Sequence, residues 1–241
     1  MLRISVLCNA GVLLEYAGQS LLIDGINQSF RGFYGLPDAE FDAILRGDGC
    51  YGPLQGVLFT HCHPDHYDAE RVSLLRQARD HCFFFIPDEK TPSTGCIQCG
   101  SFSVYYYETP HMPQNFAQVR HFVLRVEVGV YRLYFAADAV LDAAMHRRLM
   151  GNRIFDCVFV NSVYLAVGET RDLLRELSPR RIVVYHLPAD AADQTGIRRK
   201  TARTLQRYST LLPPITVADH YPVTLLLDGE NTQKGQAFPG Q

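Results

Sequence analysis

Apolar residues along the chain fall into short runs whose period switches between two and about 3.6, the signature of strands interleaved with helices. Residues 4–7, 12–16 and 20–24 read as strands, the last two joined by a turn at Ala17-Gly18-Gln19. Residues 25–53 are rich in Gly, Phe and Asp with little period, which predicts a long surface excursion holding one helix over 38–45 begun by Pro37. A strand over 56–60 runs directly into His61-Cys62-His63-Pro64-Asp65-His66, and 68–79 sets Val72, Leu75 and Ala78 on one helical face. A buried strand is expected over 83–86 and another over 101–108. Residues 122–128 and 131–136 flank Gly129 as a second hairpin. Helices over 139–150, 169–177 and 197–208 then alternate with strands over 157–161, 182–185 and 223–227. Each half begins with a hairpin and continues with strands alternating with helices. With no low-complexity linker and no sequence repeat, 1–241 reads as one domain ending in a flexible polar tail over 229–241.

Composition narrows the class. The 241 residues are 47% hydrophobic and 20% charged, which supports a sizeable core and excludes a disordered chain, a fibre or a coiled coil. A net charge of -2 argues against electrostatic binding of nucleic acid. No apolar run approaches the ~18 residues of a membrane helix. Asn9, Gly11 and Glu15 interrupt the start, so it does not read as a signal peptide. Seven cysteines without framework spacing point to reduced thiols and a cytoplasmic setting.

Chemistry concentrates at residues 61–66, where three His and one Asp crowd into six positions after an apolar strand. Imidazole nitrogens and carboxylate oxygens suit divalent first-row metals. In extended backbone His61 and His63 point to the same side and can share one ion, while Cys62 points away and is expected to be packed. Pro64 turns the chain, so that Asp65 and His66 can face a second ion beside the first.

Thr60-His61-x-His63-x-Asp65-His66 resembles the signature of the metallo-β-lactamase-fold hydrolases, and the resemblance runs from about Leu2 to about Leu227. LLIDG with Asp24, the lone His111 in ETPHMPQN, Asp138 in YFAADA and His186 in VVYHLP match the family's remaining motifs. The resemblance implies a four-layer αββα sandwich and two divalent metal ions. His61, His63 and His111 would hold one ion, Asp65, His66 and His186 the other, with Asp138 bridging. Zinc suits so His-rich a set, and manganese or iron would also fit. His111 is preferred over His121 as the lone-loop ligand. If the hairpin turns about Gly129, His121 lies nearly opposite Asp138 and either supports a ligand or faces substrate. Asp65 and His121 are thus the candidate catalytic residues, Asp65 also orienting the attacking water. Asp24 reads either as a hydrogen-bond acceptor for a ligand imidazole or as a turn cap, and Asp68 as a helix N-cap or a similar support.

Two cations close together bring a shared water towards ionisation at neutral pH, so the expected reaction is metal-bound hydroxide attacking a small-molecule ester, lactone or phosphodiester. The family's diiron oxygen-reductase branch expects Glu where this chain has His63, which favours hydrolysis over redox or oxygen-sensing chemistry. A non-catalytic metal-binding scaffold is the third reading. The single Cys96-x-x-Cys99 pair is short of a four-ligand zinc site and reads as structural or incidental, with redox sensing as the alternative. Arg198, Arg199, Lys200, Arg203 and Arg207 form a solvated helix face or an anion subsite, so the small-molecule substrate could be anionic; aromatics do not interleave with them, which argues further against nucleic acid. The aromatics from Phe30 to Tyr51 could overhang the metals, pack in the core or serve self-association into a homo-oligomer.

Overall fold

Strands β1 (Leu2–Val6), β2 (Val12–Tyr16) and β3 (Gln19–Ile23) form an antiparallel meander with Ile4 opposite Leu14 and Leu14 opposite Leu21. Only Ala17 and Gly18 make the β2–β3 turn, both at positive φ (50° and 76°). That geometry follows the right-handed twist of the strands it joins. The chain then leaves through helix α1 (Asp38–Arg46) and returns as β4 (Leu54–Leu58), parallel to β3. Helix α2 (Ala69–Ala78), capped by the Asp68 carboxylate on the Glu70 and Arg71 N–H groups, leads to β5 (Phe83–Phe85), parallel to β4.

The second half repeats this plan. Strands β6 (Thr94–Cys99), β7 (Phe102–Thr109), β8 (His121–Val128) and β9 (Tyr131–Phe135) are antiparallel. Helices α3 (Ala143–Met150), α4 (Val163–Ala166), α5 (Gly168–Leu177) and α6 (Ile197–Tyr208) then connect β10 (Cys157–Asn161), β11 (Ile182–Tyr185) and β12 (Ile215–Val217), all parallel to β9. Strand β13 (Val223–Leu227) crosses back to pair with β1. The sheets read β13-β1-β2-β3-β4-β5 and β12-β11-β10-β9-β8-β7-β6. This computed structural model describes residues 1–112 and 118–229, so the tail expected over 229–241 lies almost wholly outside the described residues.

Three apolar layers hold the sandwich together. The central one lies between the sheets, with Ile4, Leu14 and Leu21 from the first meeting Phe102, Leu124 and Phe135 from the second. One outer layer packs α1 and α2 through Phe41, Ile44, Val72 and Leu75. The other packs α3 to α5 through Met145, Met150 and Leu174. Parallel strands need crossover helices, and those helices cover the outer faces, which is why the expected αββα order follows from the strand–helix alternation.

Four local readings change. β6 was not foreseen, because Thr94–Cys99 is a sheet edge whose residues alternate in exposure without a marked apolar run. β12 was hidden behind Pro213 and Pro214. β5 is an edge strand with Phe83 44% exposed, not a buried one. Helix α3 starts at Ala143 because the Asp142 carboxylate caps it by accepting from the Met145 N–H at 2.9 Å, which leaves residues 139–142 as a loop. Among the described residues no helix is long and apolar enough to cross a membrane.

Phe135 and Phe159 stack at 4.3 Å and 11° with no exposed surface, within the central layer. Phe135→Ala is expected to cost about 3–5 kcal/mol, read as a lower urea midpoint at unchanged slope.

Candidate metal centre

The carboxyl ends of the parallel strands open at one rim, where their loops diverge and leave a crevice. Asp24 follows β3, His61 lies three residues past β4, His111 two past β7, Asp138 three past β9 and His186 one past β11. Local hydrogen bonds then bend each loop inwards. The His66 and Tyr67 N–H groups both donate to His63 O, which folds Asp65 and His66 back over His61. Met112 N–H donates to Asp138 O and Val140 N–H to Pro110 O, which ties the His111 loop beside Asp138.

One carboxylate oxygen stands at the middle. Asp138 Oδ2 lies 3.7 Å from Nε2 of His66, His111 and His186, and 3.9 Å from Nε2 of His61. On one side His61 Nε2 and His63 Nδ1 are 3.1 Å apart, and with His111 they form one group of converging donor atoms. On the other side His66 Nε2 and His186 Nε2 are 3.1 Å apart, with Asp65 Oδ2 3.3 Å from His186 Nε2. Two nitrogens bound to one zinc at 2.0–2.1 Å in a tetrahedral arrangement stand about 3.3 Å apart. The spacing and the mixed imidazole–carboxylate set therefore fit divalent first-row ions in each group, with Asp138 between them.

Buried partners aim these donors. Asp24 Oδ1 accepts from the Thr60 N–H at 2.8 Å, and Oδ2 accepts from Thr60 Oγ1 at 2.7 Å and His66 Nδ1 at 3.0 Å. Because the Thr60 hydroxyl spends its proton on Asp24, its oxygen accepts from His61 Nδ1 at 3.0 Å. Nδ1 of both imidazoles is thus held protonated, which leaves Nε2 facing inwards as the atom that can meet an ion. Asp24 acts on the ligands, and Asp68 is the helix cap. Sequence reasoning missed Thr60 in this role, although its place between the strand and His61 was in view. It also missed Asn9, whose carbonyl accepts from the His186 N–H at 3.0 Å and whose amide donates to Asp65 O at 3.4 Å. No periodic signal marks that residue.

His121 takes the supporting one of its two expected roles, not the substrate-facing one. It is wholly buried; Nδ1 pairs with Thr109 Oγ1 at 2.9 Å, and Nε2 accepts from the Asp138 backbone N–H at 3.1 Å. It braces the Asp138 backbone from behind and does not line the cavity, whereas His111 joins the converging donors. His146 supports the same loop, with Nε2 donating to Val140 O and Nδ1 accepting from Tyr134 Oη. Ala137 and His186 have left-handed φ of 46° and 56°, as does Asp24 at 49°. Such backbone is costly and persists only where its surroundings over-determine it.

Protonation divides the two groups. Burial holds His61 well below the usual imidazole range, lowers His63, and pushes His111 down to about 4. Burial also opposes charge at His66, but Asp24, Asp138 and Asp65 outweigh it and raise His66 well above 6.5. His186 is raised likewise, Asp138 and Asp65 overcoming its burial. Burial disfavours charge on Asp138 too, yet His186, His66 and His61 keep it well below the carboxylate range.

A cavity of about 320 Å³ opens onto Asp65, Asp138, His63 and His111. A larger groove of about 740 Å³, on the other side of the first sheet near Arg3 and Glu15, carries no imidazole. Phe30 and Phe33 line the metal-side cavity, while Phe41 and Tyr51 belong to the outer core. Cys62 is exposed rather than packed, its Sγ 3.6 Å from Pro87 O. Cys96 and Cys99 fall on opposite faces of β6, one exposed and one buried. Of the basic stretch on α6, Arg198 is spent on Pro188 O and Asp219 O, and only Ile197 of that helix reaches the cavity.

Asp24→Ala is expected to weaken metal binding by about 10–100-fold, read by calorimetric titration of the metal-free protein. The raised His66 and His186 hold protons that an ion must displace, and the lowered His61, His63 and His111 do not. The Asp65–His66–His186 group should therefore lose its ion first as pH falls from 8 to 6. Proton release measured in buffers of different ionisation enthalpy should be greater for that group. In the metal-free protein the same raised values stabilise the fold below about pH 6.5, and that contribution fades as pH rises through them.

No protein-family model and no curated protein sequence matches this chain. Several solved structures do. The metallo-beta-lactamase fold protein YhfI from Bacillus subtilis aligns with a TM-score of 0.62 at 14% identity, over 93% of this chain and 99% of its own. An isothiocyanate hydrolase from Delia radicum gut bacteria aligns with a TM-score of 0.63 at 16% identity, over 93% and 99%. The diiron beta-hydroxylase CmlA from Streptomyces venezuelae aligns with a TM-score of 0.62 at 15% identity, over 94% of this chain but 54% of its own, so this chain spans about half of that protein. The sheet order, the crossover helices and these alignments together identify the architecture of this chain as the metallo-β-lactamase fold.

Proposed function

We propose that this chain is a metal-dependent hydrolase with a dinuclear centre, acting on a small-molecule ester, lactone or phosphodiester. The observation that carries the reading is the position of Asp138 Oδ2, nearly equidistant from four imidazole nitrogens between two sets of converging donors. His61, His63 and His111 would hold one ion and Asp65, His66 and His186 the other, with Asp138 shared. Bound divalent ions supply Lewis acidity and a water acidified towards neutral pH.

The chain's own residues do the rest. Asp65 lines the cavity and is kept ionised: burial resists its charge, but the hydrogen bond from His186 and the nearby His66 prevail. It can accept a hydrogen bond from the attacking water and orient it. Asp24, Thr60 and Asn9 hold the imidazoles and Asp65 in place, so little reorganisation is needed when substrate enters. Phe30, Phe33, Met112 and Val163 exclude water around the scissile bond. Seven free cysteines suit a reducing, cytoplasmic compartment.

A second reading, oxidation at an iron pair, draws on the likeness to the diiron beta-hydroxylase CmlA. His63 weighs against it. The test reconstitutes metal-free protein with Zn, Mn or Fe(II) and offers ester, lactone, phosphodiester and isothiocyanate substrates, with metal analysis alongside. Hydrolysis with a redox-inert ion supports the proposal; activity confined to iron with consumption of oxygen overturns it. Asp138→Ala should lose at least one ion and almost all turnover, while Cys96→Ala keeps both. A fully metallated, fully active Asp138 variant would refute the bridging role.

A further inference from the structure

Residues Phe30 to Phe33 close a two-residue turn. The Phe30 N–H donates to Phe33 O at 3.2 Å, and the Phe33 N–H donates to Phe30 O at 2.9 Å. Between them Arg31 and Gly32 stand at φ 47° and 90°. Asn, Asp or Gly ordinarily fill such positions, because left-handed backbone crowds a Cβ. The turn is bolted down: the Ala189 N–H donates to Gly32 O at 2.7 Å, and a Cβ on Gly32 would meet Ala192 Cβ at 3.0 Å. The Phe33 ring packs 4.5 Å from His186. A long cationic side chain is thus held at a conformationally costly position on the cavity that the candidate ligands line. Strain of this kind marks positions kept for function.

The surroundings of Arg31 say what it takes. Its guanidinium rests 5.0 Å over the Phe30 ring, and the residue lines the cavity. It is close enough to His63 to lower that imidazole's basicity. Among the described residues no carboxylate lies within ion-pair distance of it, unlike Arg71, Arg120 and Arg147. Phe33, Met112, Val163 and Ile197 supply an apolar stretch of wall, beside the polar Asn161 and Ser162. At about 320 Å³ the space lies at the small end of ligand cavities, which run from about 300 to 1,000 Å³.

We propose that Arg31 is the specificity-determining residue of this cavity, binding the carboxylate of a small amphiphilic substrate whose apolar body lies against Phe33, Val163 and Ile197. A single cation matches a single negative charge, and the guanidinium fork pairs with both carboxylate oxygens. The scissile bond then lies over Asp65 and Asp138. For that last placement the inference rests on the hydrolase reading; the anion subsite itself does not.

Benzoate and its neutral counterpart benzamide, titrated into metal-loaded protein, test the subsite without turnover. Wild type should prefer benzoate, and Arg31→Ala should weaken benzoate by roughly 10–100-fold with little change for benzamide. Arg31→Lys should recover part of the loss, and Arg31→Glu should deepen it. Arg31→Gly relieves the left-handed strain, so it should raise the melting temperature while losing the preference. Benzoate affinity unchanged in the Ala, Gly and Glu variants would mean that the metals alone hold the anion, and would overturn the proposal. Kinetics with phenyl acetate and 4-acetoxybenzoate then separate the two readings. Hydrolysis of both with the same preference in wild type and Arg31→Gly sinks the subsite and leaves the hydrolase. Arg31-dependent benzoate binding with no hydrolysis of any ester, lactone, phosphodiester or isothiocyanate sinks the hydrolase and leaves the subsite.

Discussion

Imidazole nitrogens converge on one point only where a shared proton or a positive ion joins them, and a rigid frame must aim them there. A buried carboxylate supplies that frame in this chain. Asp24 has no solvent exposure, yet its two oxygens take three donors, from Thr60 twice and from His66. Through Thr60 it also sets the proton on His61. One charged side chain, which would be expensive to bury alone, thus fixes the tautomers of two candidate ligands in different metal groups. Breaking it would free both rings at once.

The second constraint is the meeting of two sheets. The first brings Asp24 and residues 61–66 to the rim, and the second brings His111, Asp138 and His186. Neither half holds a complete donor set for either group, because each contains an imidazole from the other sheet. The central apolar layer that joins the sheets therefore also sets the distance between the ligands. Buried and neutral, His121 and His146 brace the Asp138 loop, His121 spending its other nitrogen on the Thr109 hydroxyl and His146 on the Tyr134 hydroxyl.

The two groups of candidate ligands also differ in their electrostatics. At His66 and His186 nearby carboxylates overcome burial and favour protons; at His61, His63 and His111 burial prevails and resists them. The centre is thus asymmetric although it reads as a pair of similar ligand sets. The cavity shares this asymmetry, since the aromatic turn carrying Arg31 packs on His186 and not on His61.

Much of this was legible in the residues themselves. The runs at 12–16, 157–161, 182–185, 197–208 and 223–227 coincide with the elements found, because apolar period and turn residues agreed there. The crowding of His61, His63, Asp65 and His66 named the chemistry, since donor type and spacing are local properties. Edges and loops were not legible: Thr94–Cys99 and Ile215–Val217 carry little apolar signal, and the cap at Asp142 shortened a helix that periodicity had extended. The division of labour between His111 and His121 was open for the same reason. His111 follows β7 and His121 opens β8, and only their contacts with Asp138, through the Met112 N–H on its carbonyl and its own N–H on His121 Nε2, set the first among the converging donors and the second behind. The residue order determined which donors exist and the strands that carry them. Which nitrogens converge, which carboxylates orient them and where Arg31 stands were decided by contacts between segments far apart in the chain, which no local pattern encodes.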